Sequence, residues 1–155
     1  MDQILYHYHE NLYVNITNRC PCSCVFCERQ YFQGIGDAPS LWLEKEPSAE
    51  EIFRALEKEN LEQYRELVFC GYGEPAERLW DVLEIAGAVK EYSRIPVRLN
   101  TNGLADCIWG KSCAPYLKGR IDLVSVSLNT PDKERYLELT RSKFGIQSFD
   151  AVLKF

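Results

Sequence analysis

Four cysteines within eight residues form the part of this sequence best suited to chemistry. Cys20, Cys24 and Cys27 are separated by three and then two residues. A loop leaving a strand can place three such thiolates around one iron–sulfur cluster, with one iron left open to a small molecule. Zinc is the alternative, because Cys24 and Cys27 form a Cys-x-x-Cys pair and Cys22 could add a ligand. The spacing therefore predicts a metal centre without identifying the metal.

The compartment is indicated by the cysteine count and by the N-terminus. Seven cysteines, an odd number, do not suit a disulfide scaffold. Residues 1–10 lack the basic flank and apolar core of a signal peptide, so none is expected. No apolar run reaches the roughly 18 residues of a membrane helix. We therefore expect a cytoplasmic protein with reduced thiols and no membrane partner.

Length and charge favour a single folded domain over residues 1–155. Hydrophobic residues make up 46% of the chain, including nine Tyr, seven Phe and three Trp that can fill a core. The formal net charge of −5 argues against a broad nucleic-acid-binding surface. Nucleic acid is therefore not expected as a broad-surface partner.

Strand-like and helix-like segments alternate along the chain. Strands are predicted at residues 12–17, 67–70, 97–102 and 121–129. Helices are predicted after the N-cap Ser48, over residues 79–89, after Thr130–Pro131 as N-cap and first position, and from Ser148. Such alternation is typical of parallel strands joined by right-handed crossovers. The expected fold is α/β, either an open sheet or a partial barrel.

Polar residues share one face of several predicted strands. On the third strand these are Arg98, Asn100 and Asn102; on the fourth, Ser125, Ser127 and Asn129; on the first, Asn15 and Thr17. A closed barrel fills its interior with apolar side chains, so a polar inner face favours an open barrel holding a polar ligand. A sheet with one face in water is the alternative. Cys70, on an apolar strand, is expected to be a small buried hydrophobe.

At the cysteine loop the chain resembles the radical S-adenosylmethionine (radical SAM) enzymes, which carry this spacing with an aromatic residue, here Phe26, before the last cysteine. Three further segments resemble family motifs at strand ends: Tyr72-Gly-Glu-Pro75, Thr101-Asn-Gly103 and Ser127-Leu-Asn129. Tyr72 stands where the first glycine of Gly-Gly-Glu-Pro usually lies. Within the superfamily the chain looks most like the short TatD-associated radical SAM proteins. The resemblance implies a partial, open TIM-type barrel.

The resemblance also implies an enzyme and its cofactors. Cys20, Cys24 and Cys27 would hold a 4Fe-4S cluster that binds S-adenosylmethionine (SAM). One electron would cleave SAM to a 5′-deoxyadenosyl radical, which abstracts hydrogen from an unidentified substrate. An external flavodoxin- or ferredoxin-like protein would supply the electron.

Further residues acquire roles through the same resemblance. Gly73 would let the backbone approach the methionyl end of SAM, and Glu74 would accept from its ammonium group. Phe26 would lie near adenine and Ser127 near the ribose. The remaining cofactor-binding positions are Asn100, Asn102 and Asn129. Arg98 would pair with an anionic substrate or carboxylate, or else be an ordinary surface charge.

The chain departs from the family in length. Radical SAM cores usually have six strand–helix units, and only four strands and an unfinished fifth unit are predicted here. We therefore expect either C-terminal truncation or a partner covering the open side. Two other functions remain as alternatives: an activase for a glycyl-radical enzyme, suggested by the short length, and a zinc-stabilised binding module.

Overall fold

The computed structural model describes residues 3–155 and builds them around a five-stranded sheet. The strands are β1 (Leu5–Tyr8), β2 (Asn11–Val14), β3 (Leu67–Phe69), β4 (Val97–Thr101) and β5 (Leu123–Val126), and they lie in the sheet in this order. β1 pairs with β2 antiparallel, and every later pairing is parallel. The expected open α/β fold is confirmed. The expectation about residues 1–10 rests partly on Met1 and Asp2, which lie outside the described residues.

Six α-helices follow the strands in the described part of the chain. They are α1 (Ala49–Leu56), α2 (Leu79–Tyr92), α3 (Ala105–Trp109), α4 (Ala114–Leu117), α5 (Lys133–Thr140) and α6 (Gln147–Lys154). Three short 3₁₀ turns lie at Glu28–Gln30, Leu61–Gln63 and Pro75–Arg78. Within residues 3–155, no helix has the length and apolarity needed to cross a membrane.

The sheet has one apolar face and one polar face because its strands alternate. On β4, Val97 and Leu99 are fully buried in the main core, where they join side chains of α1 and α2. Arg98 and Asn100 point to the opposite face. The apolar face therefore fixes the sheet against the helices, and the polar face is left to line a cavity.

The β1–β2 hairpin was not predicted from the sequence. β1 reads Leu5-Tyr-His-Tyr8, in which polar histidine and amphipathic tyrosines obscure the alternating pattern. Its turn contains His9 in a left-handed conformation, with φ of 52°. Non-glycine residues adopt that region infrequently, so the sequence carried no strong turn signal.

Helix starts were predicted with mixed success. The capping box at Ser48 is confirmed: the Glu51 N–H donates to Ser48 Oγ at 3.1 Å, and the Ser48 N–H donates back to Glu51 Oε2 at 2.7 Å. The prediction of Thr130 as N-cap was wrong. Asp132 caps α5 by accepting from the Arg135 N–H at 2.7 Å. The Thr130 hydroxyl oxygen instead accepts from the Asp132 N–H. The loop therefore extends two residues beyond Thr130 before the helix begins.

Asn15 and Thr17, predicted to share the polar face, are buried, and each donates a hydrogen bond to the segment before α1. The Asn15 amide donates to the Leu41 carbonyl at 2.8 Å, and the Thr17 hydroxyl donates to Glu46. The Arg19 guanidinium donates one hydrogen bond to each oxygen of the same carboxylate. These residues therefore fasten the segment before α1 to the strand end.

Candidate active site

A cavity of about 460 Å³ lies at the carboxyl ends of the parallel strands. Its lining comes from the cysteine loop, the segment after β3, the polar face of β4 and β5, and α5. The residues that line the cavity are Cys22, Cys24, Phe26, Cys27, Glu28, Cys70, Gly71, Gly73, Glu74, Pro75, Asn100, Thr101, Asn102, Ser125, Ser127, Asn129, Tyr136 and Thr140. Ligands of α/β proteins bind at this end of the sheet.

The cysteine loop, residues 20–27, is held in place by the segment that contains α5. The Ser23 N–H donates to the Thr140 carbonyl and the Val25 N–H to the Leu139 carbonyl, each at 2.9 Å. The Lys143 N–H donates to the Pro21 carbonyl at 2.9 Å. The loop position is thus set by residues more than a hundred positions away in sequence.

The thiols of the loop face different surroundings. Cys22, Cys24 and Cys27 line the cavity, and the Cys20 and Cys22 sulfur atoms each lie 3.9 Å from the Asn102 side-chain nitrogen. Cys22 is buried in a second apolar cluster with Tyr136, and Cys20 and Cys24 pack against that cluster. Hydrogen bonding with the Cys22 thiol lowers the pKa of Cys20, and lowers that of Cys24 to about 7. The same bonds raise the pKa of Cys22, which therefore acts as the neutral donor.

The predicted triad suits a cluster better than a single ion. Within residues 3–155, no three His, Cys, Asp or Glu side chains converge closely enough to hold one metal ion. A 4Fe-4S cluster is held through separate irons, so its thiolates need not meet at one point. Cys24 and Cys27 border the cavity, and Cys20 lies beside its Asn102 wall. The donor set and the space beside it therefore fit a cluster.

Gly73 packs directly on the backbone that precedes the cysteine loop. A Cβ atom at this position would lie 2.2 Å from the Thr17 carbonyl oxygen and 2.7 Å from that of Arg19. The next residue, Glu74, donates its N–H to the same Arg19 carbonyl at 2.7 Å. Only glycine permits this contact. Gly73 thus brings the loop after β3 against the chain itself, and its approach to the methionyl end of SAM stays a prediction.

Glu74 is 5% exposed as a residue, and its carboxylate accepts three hydrogen bonds from the protein. Oε1 accepts from the Thr101 hydroxyl at 2.7 Å and the Ala76 N–H at 3.0 Å, and Oε2 accepts from the Asn102 N–H at 2.7 Å. Burial raises the pKa of Glu74, and these bonds oppose that rise. A carboxylate has about four acceptor positions. One position on Oε2 therefore remains for a ligand.

Asn100 and Ser125 stand opposite each other on β4 and β5 and both line the cavity. The Asn100 Oδ1 atom is buried and has no hydrogen-bond partner within residues 3–155. Unpaired buried acceptors are rare in folded proteins. Ser127 and Asn129 continue the same wall beyond β5, and Phe26 stands at the rim with 45% of its surface exposed. The polar wall predicted from strand alternation is therefore present.

Of the two roles expected for Arg98, the structure does not show the one in the cavity: Arg98 forms an ion pair with Glu66 near the amino ends of the strands. The expectation for Cys70 was wrong. Cys70 lines the cavity instead of filling the core, because it continues the face of β3 that points away from the helices. Tyr136 and Thr140, one helical turn apart on α5, were missed. Their i, i+4 spacing was the available signal.

Comparison with known proteins supports the family resemblance. The family model described as the radical SAM superfamily matches residues 14–155. No solved structure gives a significant match.

Curated relatives are similar over most of the chain. A GTP 3′,8-cyclase of Lactiplantibacillus plantarum is 30% identical over 145 residues, 93% of this chain and 41% of the relative. A probable GTP 3′,8-cyclase of Thermococcus kodakarensis is 30% identical over 144 residues, again 93% of this chain and 41% of the relative. One of Methanopyrus kandleri is 32% identical over 134 residues, 85% of this chain and 38% of the relative. The chain thus spans about two fifths of the length of these proteins.

Proposed function

The chain belongs to the radical SAM superfamily, and on this premise we propose that it is an enzyme that cleaves SAM reductively and abstracts hydrogen from a substrate. The cofactors of this superfamily are a 4Fe-4S cluster and SAM. When bound, they supply one electron and a 5′-deoxyadenosyl radical, chemistry that side chains alone do not provide. The observation that carries the proposal is that cysteine thiols, the buried Glu74 and the polar ends of β4 and β5 border one cavity.

The roles of the cysteines follow from their spacing. We assign Cys20, Cys24 and Cys27 as the cluster ligands because their spacing is that of the superfamily's cysteine motif. Cys22 also lines the cavity and is the most buried of the four cysteines in the loop. The neighbouring thiol of Cys22 favours the thiolate forms of Cys20 and Cys24, and thiolates are what bind iron.

The remaining residues bind and orient SAM in this proposal. The free acceptor position of Glu74 receives the methionyl ammonium group, and Phe26 packs against adenine. The unpaired Asn100 Oδ1 accepts a ribose hydroxyl. Ser127 and Asn129 add hydroxyl and amide groups on the same wall. Gly73 and Asn102 shape the wall between these groups and the cysteine loop.

The test is anaerobic reconstitution of the chain with iron and sulfide. About four irons and four sulfides per chain are expected, followed by 5′-deoxyadenosine formation when dithionite and SAM are added. Cys24→Ala is the matched control and should bind little iron. Well-reconstituted protein that forms no deoxyadenosine would overturn the proposal.

Guanosine triphosphate is the first substrate to test, since the curated relatives are named GTP 3′,8-cyclases. The same assay should then consume GTP in step with deoxyadenosine formation. The control is ATP at equal concentration. Deoxyadenosine formation that GTP leaves unchanged removes this substrate and leaves the SAM chemistry standing. The narrower resemblance to TatD-associated radical SAM proteins stays a prediction.

Partners and location are also proposals. Radical SAM enzymes need a one-electron donor, and a flavodoxin- or ferredoxin-like protein of the cytoplasm is the expected source. The glycyl-radical activase has no observation in its favour beyond chain length. The zinc module differs from the proposed enzyme in metal content: one colourless zinc ion per chain would support it.

A further inference from the structure

Asn102 is held at the end of β4 by two hydrogen bonds that fix both its backbone and its side chain. Its N–H donates to Glu74 Oε2 at 2.7 Å. Its side-chain carbonyl, Oδ1, accepts from the Leu104 N–H at 3.0 Å. Because the amide oxygen must face that donor, the position of the side-chain NH₂ group is determined as well.

The NH₂ group of Asn102 points at the cysteine loop. Its nitrogen lies 3.9 Å from Cys20 Sγ and 3.9 Å from Cys22 Sγ. Both distances are at the long end of hydrogen bonding to sulfur. Cys20 belongs to the proposed ligand triad, so the Asn102 amide is a hydrogen-bond donor to the sulfur of a proposed cluster ligand.

We propose, resting on the function above, that Asn102 is a positioning residue whose amide donates to the Cys20 thiolate and raises the reduction potential of the cluster. Each one-electron reduction of the cluster adds negative charge that is shared with its thiolates. A hydrogen-bond donor to a thiolate stabilises the more negative, reduced form, and such bonds tune cluster potentials. Asn102 therefore makes the cluster easier to reduce.

A role in folding alone is separable from this one. The turn that Asn102 makes with Leu104 uses only an acceptor oxygen, which serine and aspartate also carry. Asn102→Ser keeps a neutral acceptor and removes the donor, since the shorter hydroxyl does not reach Cys20. Asn102→Asp keeps the side-chain shape and puts a negative oxygen where the NH₂ group was. Neither change touches the backbone bond to Glu74.

The experiment is a redox titration of the reconstituted full-length chain, followed by electron paramagnetic resonance of the reduced cluster. At a fixed potential, Asn102→Ser should hold about tenfold less reduced relative to oxidised cluster, equivalent to about 59 mV for one electron. Asn102→Asp should show a larger loss. Asn60→Ser, at an exposed asparagine that makes no capping bond, should titrate like the wild type.

Two results would overturn the inference. The first is an Asn102→Ser variant that retains its iron and has the same reduction potential as the wild type. If the Ser variant loses its iron, an unchanged reduction potential in the Asn102→Asp variant overturns the inference instead. The other is loss of iron from both variants, since Asn102 would then be a residue that only fastens the fold. Wild-type protein that binds the cluster but forms no deoxyadenosine would count against the proposed function and leave the comparison of potentials intact.

Discussion

The Thr101 hydroxyl donates a 2.7 Å hydrogen bond to the Glu74 carboxylate and so joins the end of β4 to the segment after β3. The two residues are only 4% and 5% exposed. Thr101 Oγ1 also accepts from the Gly103 N–H at 3.1 Å. Two of the segments resembling family motifs, 72–75 and 101–103, are thus one hydrogen-bonded unit in the fold.

Replacing Thr101 with valine should destabilise the cluster-free chain. The change keeps the side-chain shape but leaves the buried Glu74 carboxylate short of one donor, which costs about 1–3 kcal/mol. Thr101→Ser keeps the hydroxyl and should lose less. The measurement is urea unfolding at pH 7, and a valine variant as stable as the wild type would show that the bond contributes nothing.

Cys22 and Cys24 should differ in their effect on metal content. Cys24→Ala removes a proposed ligand and should reduce bound iron several-fold. Cys22→Ala removes a thiol buried in the apolar cluster and should leave most of the iron in place. Iron, sulfide and zinc are measured after anaerobic reconstitution. Equal loss of metal in both variants would instead favour a four-cysteine site.

Glycine-to-alanine changes at two positions should have opposite effects on stability. Gly73→Ala places a Cβ within 2.2 Å of a backbone oxygen, and relieving that overlap costs about 1–3 kcal/mol. Gly87, inside α2, is the control, because its added Cβ would meet only the Arg120 side chain at 3.6 Å. Gly87→Ala should stabilise by about 0.5–1 kcal/mol through helix propensity. Denaturant unfolding of the cluster-free chains tests both.

Asp122 should make stability depend on pH in the acid range. Partial burial by itself raises its pKa, but bonds from the Lys90 ammonium at 2.6 Å and the Val97 N–H at 2.8 Å lower the pKa below its ordinary value of 3.8. A carboxyl with a lowered folded-state pKa adds stability above pH 3.8 and loses it as the pH falls through the lowered value. Its contribution is therefore complete at neutral pH.

Asp122→Asn should consequently be less stable than the wild type at pH 7. The difference should be about 1 kcal/mol or less, because the side chain is half-exposed and solvent screens the pair. It should shrink as the pH approaches 2. Urea unfolding at several pH values measures this, with Glu62→Gln on an exposed turn as the control. A difference that does not change with pH would show that the ionised form of Asp122 is not what stabilises the fold.

Much of the fold was predictable because it depends on local pattern. The alternation over residues 97–101 and the capping box at Ser48 are each readable within a few residues, and both are present in the structure. The hairpin strand β1 and the true cap at Asp132 were not found. At β1, polar and amphipathic residues hide the alternation that pairing with β2 requires, and before α5 the sequence offers two capping side chains, Thr130 and Asp132, only two residues apart.

The chain's own order of residues determined the chemistry that it offers: closely spaced thiols, a glutamate after a strand, and amides and hydroxyls on alternate strand positions. Tertiary structure alone decided which of these groups meet. It assigned Cys70 to the cavity, paired Arg98 with Glu66, and placed the Asn102 amide beside Cys20. The physical reason is that residue type and period are properties of short segments, whereas contact depends on how parallel strands and crossover helices bring distant segments together.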